Sequence, residues 1–417
     1  MKILIAGGGI GGLTAAMRLR AAGIDVVVCE AVPDLKALGV GINLQPGAVR
    51  ILTGLGLFDA LDRIAIRTRE LVFANRHGQT ILADQRGLDG GYPWPQFSIH
   101  RGELQVLLLD AARARLGAGN VQLGRRLTRF ETGADGRVTA WFADRDGNPA
   151  GTETADALIG ADGIHSTVRS TFFPAEGAPK WSGVMMWRGV TEGLPYLSGR
   201  SMVQAGHHNQ KFVCYPISRA HADNGKALIN WIADLYLGDG PLPRREDWSR
   251  RGDPNDILPA FATWNFGWLD VPAVIRGAGA IYEFPMVDRD PLPRWTHGAV
   301  TLLGDAAHPM YPIGSNGATQ AILDSEALLR ALTSGVPAAD ALLAYEKERL
   351  PVTARIVENN RRHGMDRMLD LVEERAPDGF TDIEAVLPAA EMEAIVGDYK
   401  RAAAMDRESL AALARRT

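Results

Sequence analysis

The stretch KILIAGGGIGGLTAAMRLRAAGIDVVVCE, Lys2 to Glu30, sets the architecture of this chain. Lys2 to Ala6 is a short apolar run ending in glycines. Leu13 to Ala22 has helical spacing and is closed by Gly23, and Asp25 to Glu30 is a second apolar run ending in an acid. Strand, glycine turn, helix, strand is a βαβ unit. Gly7, Gly9 and Gly12 hold the G-x-G-x-x-G spacing in the context in which it binds a dinucleotide. Gly7 permits the tight turn, Gly9 lets backbone approach a pyrophosphate, and Gly12 lets helix pack on strand, so that the helix start aims unpaired N–H groups at phosphate. The expected contacts to an ADP moiety are Gly7, Gly9, Ile10, Gly11, Gly12 and Leu13, with Glu30 at the ribose hydroxyls and Ala31 beside it. The turn alone does not separate FAD from NAD(P), because both carry ADP.

Working outward, Leu35 to Gln45 reads as a glycine-bearing loop and Pro46 to Leu55 as a helix. Arg69 to Ala83, with its His77-Gly78 turn, predicts a hairpin, and Arg129 to Ala143, around Asp135-Gly136, predicts another. Between them Arg101 to Leu116 is helical, with Leu104, Leu107, Leu108 and Ala111 on one face. Ala157 to Ile159 is a buried strand running into Gly160-Ala161-Asp162-Gly163. From Ser182 to Glu283 strand-like runs alternate with proline- and tryptophan-rich segments, and Trp181, Trp187, Trp231, Trp248, Trp264 and Trp268 fall in or at the edge of this stretch. The α/β signature returns at Val300 to Leu303, with a Gly-Asp turn and a helix from about Gly317 to Leu332. The tail from Ala338 is helical and charged, with breaks expected at Pro351, Pro377 and Pro388. The expected fold is α/β: a Rossmann-type, three-layer FAD-binding domain with an inserted, mainly β-sheet substrate domain and a helical C-terminal tail. The expected parts are FAD-binding at 1–75, 100–180 and 286–337, substrate at 76–99 and 181–285, and tail at 338–417.

The 417 residues are 46% hydrophobic and 23% charged with a net charge of −4, which predicts two or three structural domains and gives no basic surplus for nucleic acid or an anionic membrane. No run reaches the ~18 apolar residues of a membrane span. Cys29 and Cys214 lie far apart and form no CxxC pair, so neither a disulfide framework nor a cysteine metal site is expected. With a strand starting at Lys2 there is no room for a signal peptide. A soluble cytoplasmic protein, monomer or homodimer, is the expectation. His207-His208 has no third ligand at metal spacing and reads as a surface turn, so no metal is expected.

Two further motifs carry a family resemblance. Gly160-Ala161-Asp162-Gly163-Ile164-His165-Ser166-Thr167-Val168-Arg169 resembles the Asp-Gly motif of single-component flavoprotein hydroxylases. Gly304-Asp305-Ala306-Ala307-His308-Pro309 resembles the Gly-Asp motif of the same family, which includes p-hydroxybenzoate and salicylate hydroxylases. All three motifs stand in the family's order and at its usual separations. The resemblance implies FAD as the bound cofactor, with contacts from Asp162, Gly163, Gly304, Asp305 and Ala306, the Asp305 carboxylate accepting from ribityl hydroxyls. Arg101, in His100-Arg101-Gly102-Glu103-Leu104, resembles the Arg-x-x-Leu that reaches the flavin, and Val40, Gly41 and Leu127 belong to the same expected set. Read without the family, Arg101 is a surface residue at a helix start, and Asp162 with Arg169 is a structural ion pair. Pro312-Ile313-Gly314-Ser315-Asn316-Gly317-Ala318 departs from the family's Pro-x-x-Gly-Gln-Gly-x-Asn. Pro312, Gly314, Asn316, Gly317 and Ala318 are still expected beside the flavin pyrimidine, their N–H groups stabilising negative charge on the reduced ring.

The stretches LGVGINLQP (Leu38–Pro46), FSIHRGELQ (Phe97–Gln105), MWRGVTE (Met186–Glu192), YEFPMVDRDPLP (Tyr282–Pro293) and MYPIGSNGA (Met310–Ala318) are similar to the phenazine-carboxylate branch of the family, and the variant loop is shared there. The implied reaction has NADH or NADPH reduce FAD as a transient co-substrate, O2 add at flavin C4a, and the hydroperoxide give its terminal oxygen to an electron-rich carbon of an aromatic or heteroaromatic substrate. Where that carbon carries a carboxylate, CO2 leaves. Another aromatic acid, such as salicylate or hydroxybenzoate, is the alternative substrate, and a non-catalytic flavin-holding protein that sequesters an aromatic is the remote alternative. Trp187, Arg188, Tyr215, Pro216, Trp231, Met286, Tyr311 and Pro312 are expected on the substrate side, where aromatic walls suit a flat polycycle and Arg188 suits a carboxylate; the opposing reading makes the tryptophans core of the second domain. No catalytic base stands out. A plain dehydrogenase leaves the Asp162 and Asp305 turns without a role, a disulfide reductase needs the missing CxxC, and a halogenase's Trp-x-Trp-x-Ile-Pro is absent.

Overall fold

Near-continuous apolar runs such as Ile3 to Ala6 and Val26 to Cys29 need cover on both faces, which a parallel sheet between layers provides. In the computed structural model, which describes residues 1–35, 39–242, 250–403 and 405–414, Lys2–Ala6 is the centre of a five-stranded sheet. Its order is Val300–Leu302, Ala157–Gly160, Lys2–Ala6, Asp25–Glu30, Val121–Leu123, every pair parallel. Helices Ile10–Ala21, Arg101–Leu116 and Gly317–Leu332 and the antiparallel sheet of Arg126–Thr132, Val138–Ala143 and Pro149–Ala155 pack into the same core. Leu38 and Trp248 lie outside the described residues.

A seven-stranded sheet forms the second body, in the order Ile281–Asp288, Lys180–Gly193, Ala227–Tyr236, Gln210–Pro216, Ser201–His207, Glu70–Ala74, Thr80–Gln85. Glu70–Ala74 begins before residue 76 and pairs in parallel with Ser201–His207, while Ile281–Asp288 runs past residue 285, so this sheet overruns both boundaries expected for it. The expected loop at Leu35 to Gln45 contains a strand, Gly41–Leu44, because it pairs with Gln96–His100 in a fourth, small sheet. Pro351 does not break the tail helix. Ala338–Arg361 is continuous through it, anchored on both sides by the Tyr345 hydroxyl on Leu302 O at 3.0 Å and Asn360 Nδ2 on Tyr311 O at 2.9 Å. Tertiary packing there outweighs the lost hydrogen bond of the proline. Pro377 follows helix Arg367–Arg375, and Pro388 precedes helix Ala389–Ala402.

Strand side chains alternate between faces, and this divides the expected substrate wall. Tyr215, Met286, Phe284 and Ile232 cluster with Tyr311 and with Met365, Met368, Leu369 and Tyr399 of the tail. Trp187, Trp231, Phe212 and Cys214 cluster on the opposite face with Phe261, Trp264 and Ile275. Trp187 and Trp231 are therefore core of the sheet's far side and share no surface with Arg188, Tyr215 and Met286. Trp231 is wholly buried, donates from Nε1 to Thr191 Oγ1 at 3.0 Å, and lies where a Cβ on Gly189 would come within 2.5 Å of its ring. Pro216 ends its strand buried. Both cysteines are free and buried, and burial pushes each thiol up to about 12. Among the described residues no helix is long and apolar enough to cross a membrane. Trp231→Ala is expected to cost about 3–5 kcal/mol in urea unfolding; a loss below ~1 kcal/mol would contradict its role as core.

Candidate active site

The site begins with register. Ala6 is paired with Gly160 on one side and Cys29 on the other, and Gly160 is paired with Leu302. The ladder continues one step further, with Gly7 N–H donating to Cys29 O at 2.8 Å, Ala161 N–H to Ala6 O at 2.7 Å and Leu303 N–H to Gly160 O at 2.8 Å. The glycine turn, the Asp162 turn and the Asp305 turn thus leave the sheet's carboxyl edge side by side, where α/β sheets bind ligands.

The glycines divide into two kinds. Gly7 has φ +114°, and a Cβ on it would sit 2.1 Å from Ala161 O; one on Gly12 would sit 2.1 Å from Gly7 O. One on Gly11 would come within 2.7 Å of Leu303 Cδ2. These three are fixed by packing of the chain on itself. At Gly9 a Cβ would meet nothing within 4 Å; Gly163 has equal room, but its φ of +78° favours glycine whatever the space. Open room at the start of an uncapped twelve-residue helix fits a pyrophosphate. Ile10, Gly11 and Gly12 offer the first N–H groups there. Leu13 does not, since its N–H donates to Gly9 O at 3.0 Å and its side chain is wholly buried. Glu30 accepts from Gly8 N–H at 2.6 Å and Val32 N–H at 2.8 Å, and exposed Ala31 follows it. Gln105 Nε2 donates to Gly8 O at 2.5 Å, fixing the other end of that residue. Sequence reasoning missed Gln105, although it closes one of the family-like stretches.

Asp162 caps the helix Thr167–Phe172, its oxygens accepting from Ser166 Oγ at 2.5 Å and Thr167 N–H at 2.7 Å, and burial raises its carboxyl above the usual range. It forms no ion pair with Arg169. That guanidinium, 1% exposed, pairs with Glu176 at 2.8 Å from Nε and donates to Ala306 O, Ala307 O and Asp290 O at 3.1, 3.0 and 2.9 Å. Arg169 therefore ties the Asp162 turn to the Asp305 turn. Buried Leu127 accepts from Thr167 Oγ1 at 3.2 Å beside them. Asp305 is exposed at the surface left between the turns, yet the protein mass around it raises its carboxyl, with His308 and Arg101 opposing. Its Oδ1 lies 3.9 Å from where a Gly317 Cβ would stand, at the uncapped start of Gly317–Leu332. Beneath Gly304 and buried Ala306 lies wholly buried Asp324, which accepts from Gly304 N–H at 3.0 Å and Arg349 Nε at 2.7 Å and lies 2.7 Å from His308 Nε2. Burial alone would raise this carboxyl, but His308 and Arg349 outweigh it and bring it to about 2. Neither Asp324 nor Arg349 carries a sequence signal, because the contacts are tertiary.

The variant loop is held by the tail. Gly314 has φ +70° and Tyr399 Oη lies 2.0 Å from where its Cβ would be. Asn316, buried, donates to Tyr399 Oη at 2.8 Å, and that hydroxyl is 3.0 Å from both Ile313 O and Asn360 Oδ1. The Asn316 amide nitrogen is thus committed to the tail, its buried Oδ1 has no partner among the described residues, and exposed Pro312 and half-buried Gly317 and Ala318 border the turns. Gly41 lies at the seam between the small and seven-stranded sheets: its N–H donates to Asn230 Oδ1 at 2.6 Å, its O accepts from Arg188 Nη2 at 3.4 Å, and a Cβ would come within 2.7 Å of the Tyr215 ring. Buried Val40 accepts from the backbone N–H of exposed Arg101 at 2.9 Å. Arg188 has a buried Nε without a partner among the described residues, and its guanidinium stands 5.9 Å from the Phe284 ring centre. Burial lowers its pKa, and burial pushes the neighbouring Tyr215 phenol up to about 12. Met286 and Tyr311 are buried on this same face. The His207-His208 turn does acquire further donors, for His363 and Asp370 come to it across the fold.

The FAD binding domain family model matches residues 1–237 and 283–360. Phenazine 1,6-dicarboxylic acid hydroxylase PhzS of Lysobacter antibioticus is 48% identical over 362 residues, covering 86% of this chain and 89% of that protein. Salicylate hydroxylase of Pseudomonas putida is 33% identical over 385 residues, 85% of this chain and 83% of its own. The crystal structure of Klebsiella pneumoniae HpxO complexed with FAD and uric acid aligns with a TM-score of 0.73 at 26% identity, covering 95% of this chain and 97% of that one.

Gly9→Leu is expected to fold, since its side chain enters open room, yet to purify without flavin; normal flavin absorbance would remove the cradle from this turn. Asp324 sits at about 2 when folded against an ordinary 3.8, so its stabilisation is complete above about pH 4 and is lost as pH falls toward 2. That loss amounts to about 2 kcal/mol, and Asp324→Asn should flatten the acid limb of the stability curve by this much in urea titrations. Equal slopes in both proteins would refute it.

Proposed function

The chain belongs to the FAD binding domain family as a single-component FAD-dependent aromatic hydroxylase, and within that family we propose that it hydroxylates a phenazine carboxylate with NADH or NADPH and O2. The observation that carries this reading is Arg188. A guanidinium with a buried, unpartnered nitrogen, and no carboxylate within ion-pairing distance among the described residues, is a costly arrangement unless an anion completes it. A substrate carboxylate would do so through two parallel hydrogen bonds. The same sheet face holds the Phe284 and Tyr215 rings, Met286 and Tyr311, which suit a flat polycycle. The 48% identity to a phenazine dicarboxylic acid hydroxylase supports a phenazine over the smaller ring of salicylate.

For the cofactor, Ile10, Gly11 and Gly12 would give N–H groups to the pyrophosphate, Gly9 and Gly163 the room, and Glu30 an acceptor for ribose. Asp305 would accept from ribityl hydroxyls, and the first N–H groups of Gly317–Leu332, at Gly317 and Ala318, would face the electron-rich side of the isoalloxazine. When bound, FAD supplies hydride acceptance and activation of O2. The chain's own part is to orient the ring through Arg188, to keep water out with Met286, Phe284 and Tyr311, and to fix the turns from behind through Arg169, Asp324 and Tyr399. Where the hydroxylated carbon bears the carboxylate, decarboxylation follows.

The test is oxidation of NADH and NADPH by the flavin-loaded protein against phenazine-1-carboxylate, salicylate and unsubstituted phenazine, with product analysis. Oxidation should be stimulated most by the phenazine carboxylate and matched by hydroxylated product. Arg188→Met should raise KM for the carboxylate at least about thirtyfold, the low end of the ~2–5 kcal/mol typical of a truncated buried charge pair, and leave neutral phenazine nearly unaffected. Flavin that neither nicotinamide reduces defeats the monooxygenase reading; preference for salicylate defeats the phenazine one.

A further inference from the structure

We propose a divalent transition-metal site formed by His208, His363 and Asp370, where the seven-stranded sheet meets the helical tail. His208 lies in the turn between Ser201–His207 and Gln210–Pro216, His363 follows Ala338–Arg361, and Asp370 is on Arg367–Arg375. One donor atom from each lies within 4.8 Å of the other two. His363 Nδ1 is 2.7 Å from Asp370 Oδ2, and His208 Nδ1 is 3.4 Å from Asp370 Oδ1. The two imidazoles stack at 4.7 Å with 23° between their planes.

The placement of the carboxylate separates this cluster from an incidental one. His363 holds a left-handed conformation, φ +68°, which histidine takes more readily than most residues and which ends the helix Ala338–Arg361. That turn sets its ring over His208. Asp370 is already preset by accepting the His208 backbone N–H at 2.8 Å, so its orientation does not depend on an ion. Two imidazole nitrogens with one carboxylate oxygen form a donor set suited to zinc, nickel or cobalt. Tetrahedral coordination at ~2.0–2.2 Å places donors roughly 3.4 Å apart. The required closure falls to the two histidines, whose side chains are 41% exposed, while Asp370 at 13% stays fixed. The exposed side leaves a fourth position for water. The ion would clamp a hairpin turn of the seven-stranded sheet to the tail segment 363–370, whose Gly364 packs against Tyr399 and Ile313.

The experiment titrates the chelator-treated, flavin-loaded protein with zinc chloride by calorimetry and follows thermal unfolding. One equivalent should bind and raise the melting temperature. His208→Gln and His363→Gln should each weaken zinc affinity at least tenfold with an unchanged flavin spectrum, whereas His221→Gln should leave affinity as it is. Absence of stoichiometric binding, or binding that survives both histidine substitutions, overturns the site. If a variant fails to fold, X-ray absorption of the zinc-loaded wild-type protein decides: two imidazole nitrogens with a carboxylate oxygen support the site, and any other shell overturns it.

Discussion

One register governs this molecule: Ala6 opposite Gly160, and Gly160 opposite Leu302. Turns from three distant parts of the chain become neighbours only because these parallel strands end on one line. A slip by a single residue would invert the side chains of the slipped strand, and would also lift its turn out of line with the other two. Cofactor binding is in this sense a property of strand pairing. The helix starts and glycines at the edge are useful only once the pairing has brought them together.

Holding the turns requires polar groups in places where water cannot reach. Arg169, Asp324 and Tyr399 are buried, and each directs its hydrogen bonds at the backbone or side chain of a turn. Such groups cost desolvation and repay it only when nearly all their valences are met. Arg169 meets that condition with one carboxylate and three carbonyls, and Asp324 with a backbone N–H, a guanidinium and an imidazole. Arg188 does not, since its buried Nε has no partner among the described residues, and that contrast is the ground for the recognition role proposed for it.

The glycine turn was legible because its causes are local: a strand, a spacing and an acid at the end of the next strand. The Asp162 and Asp305 turns were legible through their resemblance. What could not be read acts at a distance. Glu176 replaces Asp162 as partner of Arg169, Arg349 reaches Asp324 from the tail, and Tyr399 closes on Asn316 across 83 residues. The tail helix keeps its course through Pro351 because packing on both sides decides it. Trp187 is a different case: Trp187 and Arg188 are adjacent on one strand, and alternation forbids a shared wall, which favours the core reading of the tryptophans.

The two kinds of glycine at the cleft have a further consequence, for the history of such chains. Gly7 and Gly12 answer to the chain itself through close packing and Gly163 through its φ of +78°, whereas Gly9 would answer to the cofactor proposed for the open room beside it. A descendant that abandoned its flavin but kept its shape would be free to drift at Gly9 and bound at the other three. In a collection of related sequences, substitution at Gly9 beside an intact Gly7 and Gly12 would mark those that have become scaffolds without chemistry.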